Sequence, residues 1–370
     1  MKNNLQDKLK QVINASGRMT KLGVSTQTPY VQSMMKYATD NYFVIDDLYE
    51  KAGESIAEMI GVTDVVITSS ASAGIVFTVA SLICGDNPKL VTDLHNAKCK
   101  SSKREVILPK GQSIDYGVPV STMLELGGGI VIEAGSVNKV TKANVEASIS
   151  ENTIALMYIK SHHCVQKNMI SLEDMLELSR KYNISLILDC AAEEDLKKYY
   201  DAGADFVVYS GSKALCAPAS GFVLCKDQKM AKNMRLQYYG VGRSMKVGKE
   251  NIFGLVAAID EYLNSPHKSA VGIDDLKQFI VDINKIEGID ASLSQDEAGR
   301  QIFRAKVHFD KDKFGNDAVQ VNKLLQSGNP AIYNRDHEAN LGYLSFDPRP
   351  LQSIDELNKI LIRIKEIGGV

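Results

Sequence analysis

The stretch DFVVYSGSKALCAPASGFVLCK, residues 205–226, decides the fold. It opens with an apolar run, DFVVYS (205–210), turns through the small residues GSKALCAPASG (211–221), and returns to an apolar run, GFVLC (221–225). Runs this short, apolar throughout and bounded by Gly, Pro and Ser read as strands buried on both faces. Lys213 then lies just past a strand end, in a turn of small residues. A lysine at a strand end inside a protein is a candidate for a lowered pKa and for covalent capture of a carbonyl. Taken alone, a solvated surface lysine is the simpler reading, so the neighbouring sequence has to decide.

Upstream, VVIT (65–68), IVIEA (130–134), TIALMYI (153–159) and ISLILD (184–189) repeat the buried-strand pattern. Amphipathic stretches lie between several of them. SLEDMLELSRKYN (171–183) opens with Ser171 and carries Asp174 three residues later, the spacing of a capping box. This alternation predicts an α/β fold with a mainly parallel sheet covered by helices on both faces. In such sheets ligands sit beyond the carboxyl ends of the strands.

The texture changes twice. Residues 1–50 read as an arm plus a helix, and residues 51–245 as the large α/β domain. From 246 to 370 the pattern becomes that of a smaller α+β domain, with a break in EYLNSPHKSAVGIDD (261–275). Helices are expected near 250–264, 271–282 and 353–366, and strands in QIFRAKVHF (301–309) and GYLSF (342–346).

With 43 basic and 45 acidic residues among 370, the net charge of −2 provides no general field for nucleic acid or an anionic membrane. The start, MKNNLQDKLKQVINASGRM, lacks the apolar core of a signal peptide. The apolar run IVFTVASLIC (75–84) is far shorter than a bilayer span. A cytoplasmic protein is expected. Cys84, Cys99, Cys164, Cys190, Cys216 and Cys225 form no CxxC pair and read as reduced, mostly buried thiols; no metal site is expected.

Three strand ends carry the candidate chemistry. After VVIT comes SSASAG (69–74), a hydroxyl-rich turn opening an apolar helix, whose free N–H groups suit a phosphate, with Ser70, Ala71 and Ser72 at its centre. Neither a Walker loop nor GxGxxG is present, and a plain Ser N-cap explains the turn equally well. ISLILD ends in Asp189, a carboxylate whose position at a buried strand tip calls for a positive partner or a cap. Lys213 follows 24 residues later, flanked by Ser210 and Ser212. Together these match one ligand. Pyridoxal 5′-phosphate (PLP) needs an anion cradle, a carboxylate for its ring nitrogen and an amine for its aldehyde. Lys213, displaced by substrate, would serve as general base.

VINASGRM (12–19), SSASAG, LDCAAEED (188–195) and SGSKALCAPASGFVLCK (210–226) resemble the fold-type I PLP enzymes, and within them the selenocysteine synthase (SelA)-like group. NASGRMTKLGVST (14–26) and VGRSMKVGKEN (241–251) are similar to ammonia-lyases of phosphorylated amino sugar acids in that group. The resemblance implies a homodimer or larger homo-oligomer, a PLP lyase, and a small anionic amino acid or amino sugar acid as substrate. The chain is shorter at its N-terminus than the selenium transferases, where those enzymes bind tRNA, so no nucleic-acid partner is expected. PKGQS (109–113) puts Gln112 where a ring-stacking side chain belongs; His162 or His163 is the alternative, and His162 the candidate acid for the leaving hydroxyl. For the anionic ends of the substrate, Arg18, Arg243, Lys246, Lys249 and Arg335 are available, with Arg243 and Lys246 preferred in the basic loop GVGRSMKVGK (240–249). Arg335 in IYNRDHEAN sits in the small domain, where the resemblance implies a carboxylate-binding arginine. Other chemistry of the group, such as racemisation, aldol cleavage or selenium or sulfur transfer, would use the same Asp189 and Lys213, and a non-catalytic PLP carrier is the reading furthest from these.

Overall fold

The runs VVIT, IVIEA, TIALMYI, ISLILD, DFVVYS and GFVLC each lie in a strand, whereas IVFTVASLIC forms a helix opened by the Ser70 cap. The computed structural model describes residues 4–96, 103–265, 269–296 and 299–369. Along the chain, β1 (Val12–Ala15) precedes α1 (Pro29–Asp40) and α2 (Ile45–Ile60). Then come β2 (Asp64–Thr68), α3 (Ala71–Cys84), α4 (Pro88–Asp93), β3 (Glu105–Pro109), α5 (Val120–Leu126), β4 (Ile130–Ala134) and α6 (Lys142–Ala147). They are followed by β5 (Thr153–Ile159), α7 (Leu172–Tyr182), β6 (Ser185–Asp189), α8 (Lys198–Asp201), β7 (Phe206–Ser210) and β8 (Gly221–Cys225). The chain continues through α9 (Gln228–Leu236), α10 (Lys249–Asn264), α11 (Ile273–Ile283), β9 (Ile289–Gln295) and β10 (Phe303–Phe309). It ends with α12 (Lys311–Phe314), α13 (Ala318–Ser327), β11 (Ala331–Asn334), β12 (Tyr343–Phe346) and α14 (Ile354–Gly368).

By its internal contacts the chain forms two compact units. The larger runs from Gln27 through α10; the smaller combines the chain up to Thr26 with the part after α10. The boundary expected near residue 246 therefore falls after α10, because that helix packs along α1 and against α2 and buries Ile252, Leu255 and Ile259 there. The N-terminal arm is divided: β1 pairs with β11 of the smaller unit, whereas α1 belongs to the larger.

The larger unit is built on seven strands in the order β2-β8-β7-β6-β5-β3-β4. β7, β6, β5, β3 and β4 run parallel, and β8 is antiparallel to both of its neighbours, so β2 points the same way as β7. The carboxyl ends of β2, β3, β5, β6 and β7 thus share one edge. The sheet residues Val65, Val66, Ile67, Leu186, Ile187, Leu188, Val207 and Val208 are fully buried, each contributing about 1.5–3 kcal/mol. α3 is apolar all round and buried on nearly every side, as a helix with no solvated face must be.

The smaller unit has the antiparallel sheet β12-β10-β9 and the parallel pair β1-β11. α11, α13 and α14 cover it with residues at helical spacing, such as Leu276, Phe279 and Ile283. Among the described residues no helix is long and apolar enough to cross a membrane. Of the cysteines, 84, 164, 190 and 225 are buried, 216 is partly exposed, and Cys99 lies outside the described residues; the described ones are free thiols.

Candidate active site

At the shared edge, the end of β2 passes directly into α3. Ser70 caps the helix, its hydroxyl accepting from the N–H of Ala73 at 3.0 Å, and the Thr68 hydroxyl donates to the Ser70 carbonyl at 2.8 Å. In register, Thr68, Gly221 and Ser210 form one row across β2, β8 and β7. Gly221 is required there: a Cβ on it would lie 2.3 Å from the Ser70 carbonyl carbon and 2.5 Å from Ala71 N. The helix N-terminus is seated against the start of β8 because that position has no side chain.

Asp189 ends β6 beside Ile159 of β5 and Val208 of β7. It is 8% exposed, and its Oδ1 accepts from the N–H of Ala191 at 2.9 Å. Burial pushes the carboxyl pKa up, while the Ala191 N–H and the positive charge of Lys213 pull it back. Asp189 and Lys213 are thus within electrostatic reach. The turn that carries Lys213 is closed by Gly211 N–H to Ser220 O at 2.9 Å and Ala217 N–H to Gly211 O at 3.0 Å. Lys213 is partly buried, and the Ser210 and Ser212 hydroxyls are 3.2 Å apart beside it.

Gln112 follows β3 and is 2% exposed; its Oε1 accepts from the N–H of Ile159 at 2.9 Å, which ties the β3 end to the β5 end. Tyr116, four residues on, was not singled out in the sequence. The Ser72 hydroxyl donates to its phenol oxygen at 3.3 Å. Burial, opposed by that hydrogen bond and reinforced by the charge of Asp189, pushes the phenol pKa up. Tyr116 is thus a neighbour of both the β2 turn and the β6 end. The only signal in the sequence was an aromatic residue shortly after the PKGQS turn, where the sequence reading looked for a stacking side chain. The loop past β5 is fixed to β6 by Lys160 N–H to Asp189 O at 2.9 Å. In it His162 is partly buried and His163 exposed, their rings 4.0 Å apart. Cys164, buried in the same loop near Asp189, has its thiol pushed up to about 12.

The basic candidates separate. Arg243 and Lys246 are exposed on the larger unit, Arg243 close enough to Tyr49 and Tyr239 to influence both phenols. Lys249 is engaged elsewhere: its ammonium donates to the Ala38 carbonyl at 2.6 Å and to Thr39 and Asn41, holding the C-terminal end of α1. Arg18 and Arg335 both belong to the smaller unit, whose strand β11 ends just before Arg335. Arg304 and Arg349, bonded there to Asp347, were not singled out.

A family model described as SelA, L-seryl-tRNA selenium transferase, matches residues 12–337. The chain belongs to the SelA family. It is 40% identical to the D-glucosaminate-6-phosphate ammonia lyase of Salmonella typhimurium, over 97% of this chain and 96% of that one. A 5′-C-glycyluridine monooxygenase-decarboxylase from a Streptomyces species is 34% identical, over 96% and 89%. A solved D-glucosaminate-6-phosphate ammonia-lyase structure superposes with a TM-score of 0.91 at 40% identity, covering 100% of this chain and 99% of that one. A Sphingomonas wittichii serine palmitoyltransferase shares the fold, with a TM-score of 0.60 at 13% identity over 97% and 87%. This SelA-family chain has the fold of the fold-type I PLP-dependent enzymes, and it is an enzyme.

Proposed function

We propose that the protein is a PLP-dependent ammonia-lyase acting on D-glucosaminate-6-phosphate and giving 2-keto-3-deoxygluconate-6-phosphate and ammonia. One observation carries the cofactor reading: a buried carboxylate, Asp189, within electrostatic reach of Lys213 at the ends of adjacent strands. The substrate is argued from the near full-length likeness to the Salmonella ammonia lyase.

The donor set fits PLP. Ser70, Ala71 and Ser72 at the start of α3, with Ser210 and Ser212, are the groups for its phosphate. Asp189 is the partner for its ring nitrogen, Lys213 the amine for its aldehyde, and Tyr116 and Gln112 its neighbours at the β3 end. Once bound, PLP supplies a ring that accepts electron density from the substrate α-carbon. The chain's own groups do the rest. Asp189, disfavoured as a lone buried anion, is stabilised by a protonated ring nitrogen and in turn keeps that proton in place. The Lys213 amine takes the α-proton, and His162 or the resulting Lys213 ammonium protonates the departing β-hydroxyl, because hydroxide is a poor leaving group unaided. Hydrolysis of the dehydrated product then liberates ammonia.

A substrate with a carboxylate and a phosphate needs cations beyond those holding PLP. Arg243 and Lys246 of the larger unit are assigned to these ends. The working enzyme is read as a cytoplasmic homodimer or larger homo-oligomer. A second reading is favoured by the 34% identity to the monooxygenase-decarboxylase: the same Asp189 and Lys213 serving another PLP reaction on a different amino acid.

The test is to incubate purified protein with PLP and D-glucosaminate-6-phosphate and to score ammonia and 2-keto acid together, with Lys213→Ala alongside. Equal release of both, lost in the variant, is the expected result. No release from protein in which borohydride still fixes PLP to Lys213 discards this substrate and retains the cofactor.

A further inference from the structure

In the larger unit, three phenols hold three consecutive residues of the segment that follows Asp189. The Tyr199 hydroxyl donates to Glu193 Oε2 at 2.6 Å, the Tyr262 hydroxyl to the Glu194 carbonyl at 2.8 Å, and the Tyr209 hydroxyl to the Asp195 carbonyl at 2.8 Å. The rings come from α8, α10 and β7, all within that unit. Tyr209 is stacked on Phe222 of β8, with ring centroids 5.2 Å apart, so its hydroxyl stands on a packed base. Asp195 is fixed a second time, its Oδ1 accepting from the N–H groups of Lys197 and Lys198.

Glu193 is 9% exposed, and Tyr199 beside it 4%. A carboxylate is costly to bury, and an apolar side chain would fill the same space at less cost. What the acid adds is a short, directional bond from a phenol to a charged acceptor. The Glu193 N–H donates to the Cys190 carbonyl at 3.0 Å, closing the turn 190–193, and the Cys190 N–H donates to Val208 O at 2.9 Å. One end of the turn is therefore tied to β7 and the other to the phenols. Between them lies Ala191, whose N–H donates to Asp189 Oδ1 at 2.9 Å. Rotation of a carboxylate about its last bond is intrinsically soft, so the direction of Asp189 follows the placing of that N–H.

We propose that Glu193 is a positioning residue for Asp189: its bond with Tyr199 fixes the 190–193 turn, so that the Ala191 N–H holds the Asp189 carboxylate in one rotation for pairing with the PLP ring nitrogen. The proposal rests on the PLP reading of Asp189 and is independent of the substrate.

The test compares PLP with its 1-deaza analogue, in which carbon replaces the ring nitrogen, in spectroscopic titrations of the full-length apoprotein. The analogue keeps the phosphate, the aldehyde and the ring, so the ratio of the two dissociation constants isolates the pairing with Asp189. Wild type is expected to prefer PLP about tenfold or more, the value of one charge-assisted bond, and Asp189→Ala to lose that preference. Glu193→Ala and Tyr199→Phe are each expected to reduce it to about threefold or less, whereas Glu193→Gln, which keeps an acceptor for the Tyr199 hydroxyl, stays within about twofold of wild type. If Glu193→Ala does not fold, Tyr199→Phe, which removes a single oxygen atom, decides alone. Weaker binding of both ligands with the ratio unchanged makes Glu193 purely structural and overturns the proposal. A preference lost in Asp189→Ala but kept in both Glu193→Ala and Tyr199→Phe removes the proposal and leaves the PLP reading standing. No preference in wild type removes the ring-nitrogen role of Asp189, and the proposal with it.

Discussion

The Ser72 hydroxyl donates to the phenol oxygen of Tyr116 at 3.3 Å, joining the first turn of α3 to the segment that follows β3. Tyr116 is also close enough to Asp189 for that carboxylate to raise its pKa. A side chain that neighbours both the proposed phosphate turn and the proposed ring-nitrogen partner has the right position to lie along the cofactor ring. Tyr116→Ala is expected to weaken PLP affinity about tenfold, the value of one aromatic contact of about 1.4 kcal/mol. Tyr116→Phe keeps the ring and is expected to stay within about threefold. Spectroscopic titration of apoprotein with PLP measures both; equal loss in the two variants would assign the effect to the hydroxyl instead.

Asp189 makes opposite demands on stability and function. Its folded-state pKa is raised, chiefly by burial, so the folded apoprotein favours the protonated form more than the unfolded chain does. Its contribution to stability is fully present below the unfolded carboxyl pKa of about 3.9 and is lost as pH rises through the folded value. Asp189→Asn keeps an acceptor for Ala191 N–H and removes the buried charge. The cofactor-free variant is expected to melt a few degrees above wild type at pH 7, a gain of about 1 kcal/mol, and the difference is expected to shrink toward pH 4. Activity with PLP should fall at least about a hundredfold, the scale on which a misplaced charge at the reacting centre is felt. Melting curves of the apoproteins across pH decide it, and a variant less stable at pH 7 would contradict the argument.

The sheet was legible because β2, β5, β6, β7 and β8 are short apolar runs bounded by small residues, and the register that lines up Thr68, Gly221 and Ser210 follows once they pair. β3 was missed, a five-residue strand that opens on Glu105 and ends in Pro109, with only Val106, Ile107 and Leu108 as an apolar run between them. β9 was missed although IDASLSQ alternates apolar with polar residues, because its apolar positions are small or few and only Ala291 along it is buried. β1 is four residues in an otherwise polar arm and acquires its identity only from β11, more than 300 residues away. The same reason hid Asp347: nothing in DPRP signals that its carboxylate collects Arg304 and Arg349, because that depends on the β10–β12 register. Tyr116 and Arg349 are readable only in three dimensions, whereas Asp189 and Lys213 stand at strand ends that the sequence marks directly.

Asp347 also sets an acid limit on the smaller unit. Burial alone would raise its pKa, but Arg349 and Arg304 hold it down at about 2, and Asp296 is lowered by Arg300 and Arg304. For groups depressed in this way, stability is present above the unfolded pKa of about 3.9 and is lost as pH falls through the folded value. Stability is therefore expected to be insensitive to these two carboxylates above about pH 5 and to fall between about pH 4 and 2. Asp347→Asn leaves the buried Arg304 with Asp296 alone and takes this carboxylate from the partly buried Arg349, and is expected to cost about 3 kcal/mol at pH 7, with part of the acid transition removed. Urea unfolding at several pH values measures both; an unchanged acid transition in the variant would assign it to other carboxylates.

Gly221 provides the most direct test of how the phosphate turn is built. Its missing side chain is what lets the Ser70–Ala71 peptide approach β8, since a Cβ would stand 2.3 Å from backbone carbon rather than from a flexible side-chain tip. Gly221→Ala must therefore displace the start of α3, a nearly fully buried helix with little freedom to shift, or bend the first residue of β8. Overpacking of this kind costs about 1–3 kcal/mol. Because Ser70, Ala71 and Ser72 would move together, PLP affinity is expected to fall by more than the stability loss alone produces, by about tenfold or greater at a temperature where the variant is fully folded. Substituting Gly203 with Ala, at a half-buried position with a positive φ of 103°, serves as the control: it strains backbone remote from the turn and should lower Tm without changing PLP affinity. A Gly221→Ala protein that melts lower yet binds PLP as wild type does would separate the seating of α3 from the cofactor and remove the phosphate role from this turn.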